Sequence, residues 1–390
     1  MNNKKVIIIA LFIFVYLISS GISYFLFSSS PLRNVASPIP SPTTTKNGQI
    51  VFDETLPKTE PCPLNGALYS KQQRSWWEKS NRPLGIMIEN HENARPQSGL
   101  TSADVVYEVV AEGGITRFLA VFYCKAPAQV GPVRSARTYF LDFISEYGSS
   151  PLYAHVGGAN TSGPADALGQ IEEYGWAGYN DMNQFSIGFP TFWRDYNRLG
   201  HATATEHTMY STTDKLWKFA KEERKLSVED EDGVKWSEDF REYQFKDDPS
   251  SSSRPAAQKV HLEFWSSDQR YFVDWTYDKA SNSYKRTNGG APHIDKNNSK
   301  QLSAKNIVVL FMRESNANDG YENNVHLLYR TEGSGKAVVF QDGKEIKATW
   351  SKDEREAKTI LKDSDGNEIK FTRGTIWFSI LPIDGVVEVK

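Results

Sequence analysis

The sequence predicts an α/β or α+β N-terminal domain and a mostly β C-terminal domain, preceded by one transmembrane helix. Three observations support this prediction: an apolar run at residues 6–27, strand and helix patterns that alternate over residues 64–246, and short β-rich segments over residues 257–390. A chain of 390 residues is longer than one hydrophobic core usually serves, so two domains are expected.

Residues 6–27 form an apolar run without charged side chains. A helix of this length spans about 33 Å, which is enough to cross the core of a bilayer. Lys4 and Lys5 precede the run and only Arg33 follows it closely, so the tail of residues 1–5 is predicted to be cytoplasmic. A cleaved signal peptide is the alternative, but the run is long for one and no small-x-small cleavage site follows. The predicted location is the cell membrane, with a single span and the bulk of the chain extracytoplasmic.

Residues 28–63 are rich in Pro, Ser and Thr and predict an extended linker without a core of its own. The two cysteines of the chain are Cys62, at the end of this linker, and Cys124. Outside the cytoplasm they could form one disulfide, and two unrelated thiols are the alternative. Two cysteines are too few for a cysteine-based zinc site.

The N-terminal domain, residues 64–246, shows short apolar runs separated by helical patterns. Strands are predicted at 84–89, 104–110, 115–124 and 152–156. Helices are predicted at 72–79, from 135 to 147, from 162 or 163 to 174, and from 211–214 to 225. Ser135 is the expected N-cap of the second helix, and Gly148 its stop. The aromatic-rich stretch 179–208 is predicted to be a long loop, which in a compact domain is usually functional or mobile.

A polar, Ser-rich and Pro-rich segment at residues 247–256 predicts the linker between the two domains. The following C-terminal domain, residues 257–390, shows strand patterns with few helical ones, and Asp342-Gly343 is typical of a hairpin turn. The predicted strands are 258–265, 270–277, 305–312, 325–329, 336–341, 344–350, 368–371 and 375–381.

Three arginines occur close to the start of a predicted helix. Arg117 interrupts an otherwise apolar strand, and Arg134 and Arg137 flank Ser135. A helix N-terminus and planar guanidinium groups both suit an anion, so these residues are predicted to bind an anionic ligand. The alternative is that the arginines pair internally with Glu89, Glu108 or Glu112, as buried Arg–Glu pairs often do.

Two further groups are candidate ligand-binding residues. His155, Gly157 and Gly158 end a predicted strand ahead of a helix, where glycines let a ligand approach the backbone. The alternative is a glycine turn with a structural histidine. Arg194 and Asp195 occur in the long loop together with His201, Glu206 and His207, where a carboxylate and a histidine could act as acid and base or bind a ligand. The alternative is that these side chains only pack the loop.

Composition and motifs exclude several classes of function. The formal net charge is −3, so no basic surplus indicates nucleic-acid binding. The sequence has neither a dinucleotide or phosphate-loop motif nor an HExxH motif, and it predicts no cofactor and no metal. Ser nucleophile elbows and Ser-x-x-Lys are also absent from the sequence, so no catalytic residue is assigned.

Several of these motifs together resemble the bacterial YerB-like lipoprotein family. In the N-terminal half they are PLGIMIEN, ARPQSGL, ADVVYE, EGGITRFLAVF, GPVRSAR, AHVGG and FWRD. In the C-terminal half they are YDKASNSYKRTNGGAPHID, KNIVVL, GSGKAVVFQDGK and GTIWFSILP. The resemblance implies a membrane-tethered, extracytoplasmic protein of two domains. The family has no established biochemical role, and this chain lacks the lipidated cysteine that is typical of its members.

The order of parts is also similar, more distantly, to LytR-CpsA-Psr proteins, which hold a polyprenyl pyrophosphate with arginines. The motifs do not correspond residue by residue, so this is an analogy of architecture. Two functions follow as hypotheses. The first is binding of an anionic envelope ligand, a cell-wall glycan or lipid-linked phosphate, or of a protein partner. The second is an enzyme that transfers or hydrolyses a phosphoryl-linked glycan, for which Asp104, Glu108, Glu112 and Asp142 would have to converge near the arginines.

Overall fold

The computed structural model describes residues 7, 14–20, 42–44, 50–266, 268–323 and 325–390. The predicted tail 1–5 lies outside the described residues, as does most of the predicted span 6–27, of which residues 14–20 are helical. Within the described part of the chain, no helix is both long and apolar enough to cross a bilayer. The unit from Pro42 to Lys390 holds all the elements named below.

The strands follow one another through both halves of this unit. They are β1 (Thr43–Thr44), β2 (Ile50–Val51), β3 (Lys58–Pro61), β4 (Leu68–Ser70), β5 (Leu84–Glu89), β6 (Val105–Glu112), β7 (Ile115–Phe122), β8 (Leu152–His155), β9 (Asp181–Asn183), β10 (Trp193–Arg194), β11 (Met209–Tyr210), β12 (Phe245–Lys246), β13 (Lys259–Glu263), β14 (Val273–Asp278), β15 (Ser283–Asn288), β16 (Ala291–Pro292), β17 (Ser303–Ala304), β18 (Asn306–Met312), β19 (Glu314–Asn316), β20 (Leu327–Tyr329), β21 (Gly333–Gln341), β22 (Lys344–Lys352), β23 (Ile360–Asp363), β24 (Phe371–Thr372), β25 (Ile376–Pro382) and β26 (Val386–Val389).

Helices occur mainly in the N-terminal half. The α-helices are α1 (Lys71–Ser80), α2 (Thr138–Ile144), α3 (Ala167–Glu173), α4 (Gln184–Ile187) and α5 (Thr213–Glu223). Short 3-10 turns occur at Glu92–Ala94, Leu100–Ser102, Thr205–His207, Ser251–Ser253, Gln269–Tyr271 and Tyr321–Asn323. The mixed N-terminal half and the mostly β C-terminal half agree with the classes predicted for the two domains, whereas the predicted transmembrane helix is not found among the described residues.

One ten-stranded sheet takes strands from both halves, in the order β23-β22-β21-β18-β25-β6-β7-β5-β8-β9. The halves join where β25 pairs in parallel with β6, so that Trp377 lies opposite Val106. The predicted boundary at 247–256 therefore does not interrupt the main sheet. Short-range patterns in the sequence could not show this pairing, because its partners are more than 250 residues apart.

A second, antiparallel sheet is formed by β13 to β17 and β26. It packs on one face of the ten-stranded sheet, where the ring of Trp275 on β14 meets Trp377 on β25 edge to face at 5.3 Å. On the opposite face, Phe143 of α2 stacks on Tyr107 of β6 at 4.8 Å. Successive side chains of a strand point to opposite faces. Tyr107 therefore packs against the helix, whereas its neighbour Glu108 points towards the second sheet.

The entry segment is tied to the main sheet by a disulfide between Cys62 and Cys124, which decides the alternative that the sequence left open. Part of the predicted linker 28–63 is thus structured: β3 pairs with β4, and β1 with β2. The remainder of that linker, residues 28–41 and 45–49, lies outside the described residues.

Candidate functional site

The candidate site is an open cleft of about 520 Å³ on the N-terminal half. It contains five of the nine predicted site residues, which come from three separate segments of the chain. Its lining residues are Arg134, Ser135, Val156, Gly157, Gly158, Asn160, Leu168, Phe185, Arg194, Thr205 and Glu206.

Arg134 is the least engaged of the three clustered arginines. Its side chain is 29% exposed, and its ion-pair partner is the buried Glu89, at 3.4 Å from Nε to Oε1. Among the described residues, its guanidinium makes no hydrogen bond, and the buried Nε is left unsatisfied. Arg134 therefore retains N–H groups that a ligand could bind.

Arg117 and Arg137 do not lie in the cleft, and their predicted role as ligand-binding residues is corrected by their contacts. Arg117 Nη2 donates to Glu112 Oε1 at 2.7 Å, and Nη1 to the carbonyl of Ser135 at 3.0 Å. Arg137 pairs with Glu112 Oε2. Both arginines are buried. Burial opposes ionisation of Glu112, but the two guanidinium charges lower the pKa of that carboxyl to about 2. The alternative of an internal Arg–Glu pair is confirmed for these two residues, and the longer pair of Arg134 with Glu89 also agrees with it.

The expected anion site at a helix start is also corrected. Helix α2 begins at Thr138, and Arg137 rather than Ser135 occupies the N-cap position, without a side-chain capping bond. The segment before it is extended because Arg134 N donates to Met87 O and Ala136 N to Gly157 O. Ser135 consequently lies in the cleft lining, ahead of the helix.

His155 is buried and does not line the cleft, but it contacts the backbone of Gly157, which does. Its Nδ1 lies 2.7 Å from the carbonyl oxygen of Gly157, and its Nε2 lies 2.5 Å from Asp181 Oδ1. The same Gly157 carbonyl accepts the N–H of Ala136. His155 thus positions the glycine turn, which agrees with the structural alternative for this residue.

The glycines bring the backbone close to neighbouring side chains. Gly157 has a φ of +56°, and a Cβ there would lie 3.0 Å from the ring of Phe185. A Cβ at Gly158 would lie 2.9 Å from Leu168 and 3.1 Å from Ala136. The turn can therefore pack tightly beneath the cleft only with glycine at these positions.

Arg194 lies in the cleft lining, whereas Asp195 does not. Arg194 Nη1 donates to the carbonyl of Thr205 at 2.6 Å and to the hydroxyl of Thr208 at 3.2 Å. Asp195 Oδ1 accepts the backbone N–H of Asn197 at 3.2 Å. Arg194 keeps further N–H groups without a hydrogen bond to any described residue, and Asp195 acts as a turn residue of the loop.

Further residues support or border the cleft, among them Glu89, which the sequence analysis named as a possible partner of the arginines, and His91 and Phe185, which it did not select. Glu89 joins Arg134 to His207, whose Nδ1 lies 2.8 Å from Glu89 Oε2. His91 stacks on His207 at 5.0 Å, and burial, together with the charge of His207, lowers the pKa of His91. Phe185 is 73% exposed at the cleft, although it is a large apolar side chain. Only the fold brings these residues together, since they come from distant segments.

Of the four carboxylates that the enzyme hypothesis required near the arginines, Glu112 lies there, paired with Arg117 and Arg137, but the other three do not. Asp104 accepts the N–H groups of Tyr123 and Cys124, and its burial raises the pKa to about 6. Glu108 is bound to Arg286 on the face of the second sheet. Asp142 accepts the hydroxyl of Thr331. These acidic groups each have a local partner elsewhere.

The cleft also contains no group of described side chains that is arranged to bind a metal ion. Within the described residues, the group of close His, Cys, Asp or Glu side chains is Cys62, Cys124 and Asp104, in which both sulfurs are used by the disulfide. The arrangement at the cleft is suited to non-covalent recognition: two arginines, a backbone turn and an exposed phenyl ring.

Comparison with known proteins places this architecture in a family. Residues 70–227 match the model described as the N-terminal domain of DUF3048, a protein family of unknown function, and residues 260–378 match its C-terminal domain. The chain belongs to this two-domain, YerB-like family, and the resemblance seen in the sequence motifs is confirmed.

One similar protein comes from a bacterium. The chain is 30% identical over 304 residues to YerB of Bacillus subtilis (strain 168), which covers 77% of this chain and 81% of the relative. The crystal structure of YerB from Bacillus subtilis aligns with a TM-score of 0.67 at 27% identity, covering 85% of this chain and 100% of that chain. The name of the relative assigns it, provisionally, to the lipoproteins.

Proposed function

We propose that this protein is an extracytoplasmic, membrane-anchored protein of the cell envelope that binds an anionic ligand in the cleft around Arg134. The observation that carries the proposal concerns Arg134, which lines an open cleft together with Arg194. The single ion-pair partner of Arg134 among the described residues is Glu89, at 3.4 Å. A phosphate or carboxylate could accept from the N–H groups of these arginines in a charge-assisted hydrogen bond.

Three features support the location. The apolar run 6–27 is long enough for a membrane anchor. The disulfide Cys62–Cys124 is typical of an oxidising compartment. The YerB relative is named as a lipoprotein, and this chain has no cysteine near the end of the run, so an uncleaved helix would replace the lipid. Protease added to intact cells should digest the folded part. If it does not, the proposed location is contradicted.

The ligand class follows from the lining of the cleft. Arg134 and Arg194 supply positive charge, Glu206 opposes it in part, and Phe185 supplies an apolar surface. This combination fits a ligand with one anionic group and an adjoining apolar part or sugar face, such as a lipid-linked phosphate or an anionic glycan.

Binding to undecaprenyl phosphate tests the proposal. The full chain in nonionic detergent is titrated with undecaprenyl phosphate, with undecaprenol as the uncharged analogue and with a poly(glycerol phosphate) as the glycan arm. Loss of one charge-assisted hydrogen bond costs about 1.5–3 kcal/mol, so Arg134→Gln should weaken binding roughly 10- to 100-fold. Equal binding of undecaprenol and its phosphate would contradict anion recognition.

A matched control is Arg74→Gln, because Arg74 is an exposed arginine on α1 that pairs with Glu60 and Glu78. This variant should bind as the wild type does. If both arginine variants weaken binding equally, the effect is one of overall charge and the cleft is not the site. If neither anionic compound binds the wild type, the proposal fails.

A further inference from the structure

A buried lysine lines a second and larger cleft, of about 830 Å³, far along the chain from the site described above. Lys358 lies in the loop between β22 and β23, and the residue is only 6% exposed. Its Nζ is buried and makes no hydrogen bond to any described residue. A buried amino group without a hydrogen bond is rare, because its desolvation is uncompensated.

The surroundings of this amino group are aromatic. Nζ lies 4.4 Å from the ring centre of Tyr147, 4.3 Å from that of Tyr243 and 5.2 Å from that of Phe240. Aromatic faces stabilise an ammonium group weakly, but they offer neither a counter-charge nor an acceptor. The cage therefore tolerates both the charged and the neutral form of the amine.

The nearest charged groups do not neutralise Lys358. Glu146 is fully buried, and its oxygens already accept from Lys352 Nζ at 3.0 Å and from the N–H and hydroxyl of Thr359. Burial lowers the pKa of Lys358 to about 8, against the attraction of Glu146 and together with the repulsion of Lys352. At pH 7 the neutral fraction of such an amine is about 300-fold larger than that of a lysine with an ordinary pKa near 10.5.

From the unpartnered Nζ, its aromatic cage and its place in the cleft lining, we propose that Lys358 is a reactive amine that binds small carbonyl compounds as an imine. The Nζ lone pair attacks the carbonyl carbon, and the two N–H hydrogens leave with the carbonyl oxygen as one molecule of water when the C=N bond forms. Desolvated lysines in apolar pockets are the ones that perform this chemistry. The neutral imine also removes the buried charge.

Reductive trapping tests this site on the full chain. The protein is incubated with propanal and sodium cyanoborohydride between pH 6 and 10, and modified lysines are quantified by peptide mass spectrometry. Lys358 should be labelled at least tenfold faster than the exposed Lys347 at pH 7, with a rate that levels off near pH 8. In denaturant the two lysines should react equally, because the preference depends on the fold.

Two variants complete the test. Phe240→Ala opens the cage and should move the midpoint of the labelling profile upward towards that of Lys347, because water then reaches Nζ. Lys347→Arg, the control, should leave labelling of Lys358 unchanged. The proposal is overturned if Lys358 stays unmodified in the folded chain, if its profile has a midpoint near 10, or if its preference persists in denaturant. In each of those cases the cage only shields a structural lysine.

Discussion

Replacing Arg286 should destabilise the protein strongly, since it holds the second sheet onto the first by a buried ion pair. Arg286 on β15 donates from Nη2 to both oxygens of Glu108 on β6, at 2.6 and 2.7 Å, and both side chains are fully buried. Glu108 also accepts from Thr116 at 2.9 Å and from the indole of Trp377 at 3.1 Å. The ring of Trp377 lies beneath the guanidinium, 5.0 Å away.

The expected loss of stability follows from the groups that remain buried after Arg286 is replaced. Arg286→Met leaves the Glu108 carboxylate buried with two neutral donors and no counter-charge. Breaking a buried pair in this way costs about 3–5 kcal/mol of the free energy of unfolding. The loss of two charge-assisted hydrogen bonds, at about 1.5–3 kcal/mol each, gives a similar figure. The double variant Glu108→Leu/Arg286→Met removes both charges and should lie within about 2 kcal/mol of the wild type or exceed it.

Urea unfolding followed by tryptophan fluorescence measures these differences on the full chain in nonionic detergent. Arg74→Met is the control, because that arginine makes exposed ion pairs and should change the free energy of unfolding by less than about 1 kcal/mol. The reasoning is refuted if Arg286→Met costs less than about 1 kcal/mol, or if the double variant is destabilised by the sum of its single changes.

Two further predictions concern stability. Removing the disulfide by Cys62→Ser/Cys124→Ser should lower the free energy of unfolding by about 4 kcal/mol, because the bridge closes a loop with a separation of 62 residues. Urea unfolding midpoints with and without a thiol reductant measure this loss. A variant as stable as the oxidised wild type would contradict the prediction. Lys358→Met should stabilise the protein by up to about 3 kcal/mol at pH 8 but little at pH 10.5. Burial lowers the pKa of Lys358 in the folded chain to about 8. Between pH 8 and pH 10.5 the unfolded chain therefore binds a proton at this lysine that the folded chain does not, so the wild type loses stability as the pH falls. A difference between variant and wild type that is constant over this range would show that the amine does not titrate as expected.

Local patterns predicted much of the N-terminal half. The strand at 84–89 matches β5, and the apolar run from Ile115 matches β7 with its end two residues earlier than predicted. Helix α5 begins at Thr213 as the capping residues indicated. The helix expected with Ser135 as its N-cap has Arg137 there instead, two residues later, because the segment before it is held extended by backbone bonds of Arg134 and Ala136 to Met87 and Gly157. Tertiary hydrogen bonds overrode the local capping signal there.

The candidate site was only partly predictable. Clustering of Arg117, Arg134 and Arg137 in sequence correctly indicated that they lie near one another, but not which of them faces solvent. That depends on Glu112, which the β6–β7 hairpin brings beside Arg117 and which also engages Arg137. Phe185 enters the cleft from the long loop, and no periodicity in the sequence pairs it with Gly157.

The amino-acid sequence by itself determined many of the strands, such as β5 and β7, the class of each half and the membership of a family, since these depend on the order of neighbouring residues. Tertiary structure alone decided that both halves share one sheet, that Arg134 is the available arginine, and that Lys358 is buried without a partner. Each of these depends on contacts between segments far apart in the chain, where burial and competing partners set the charge and the accessibility of a side chain.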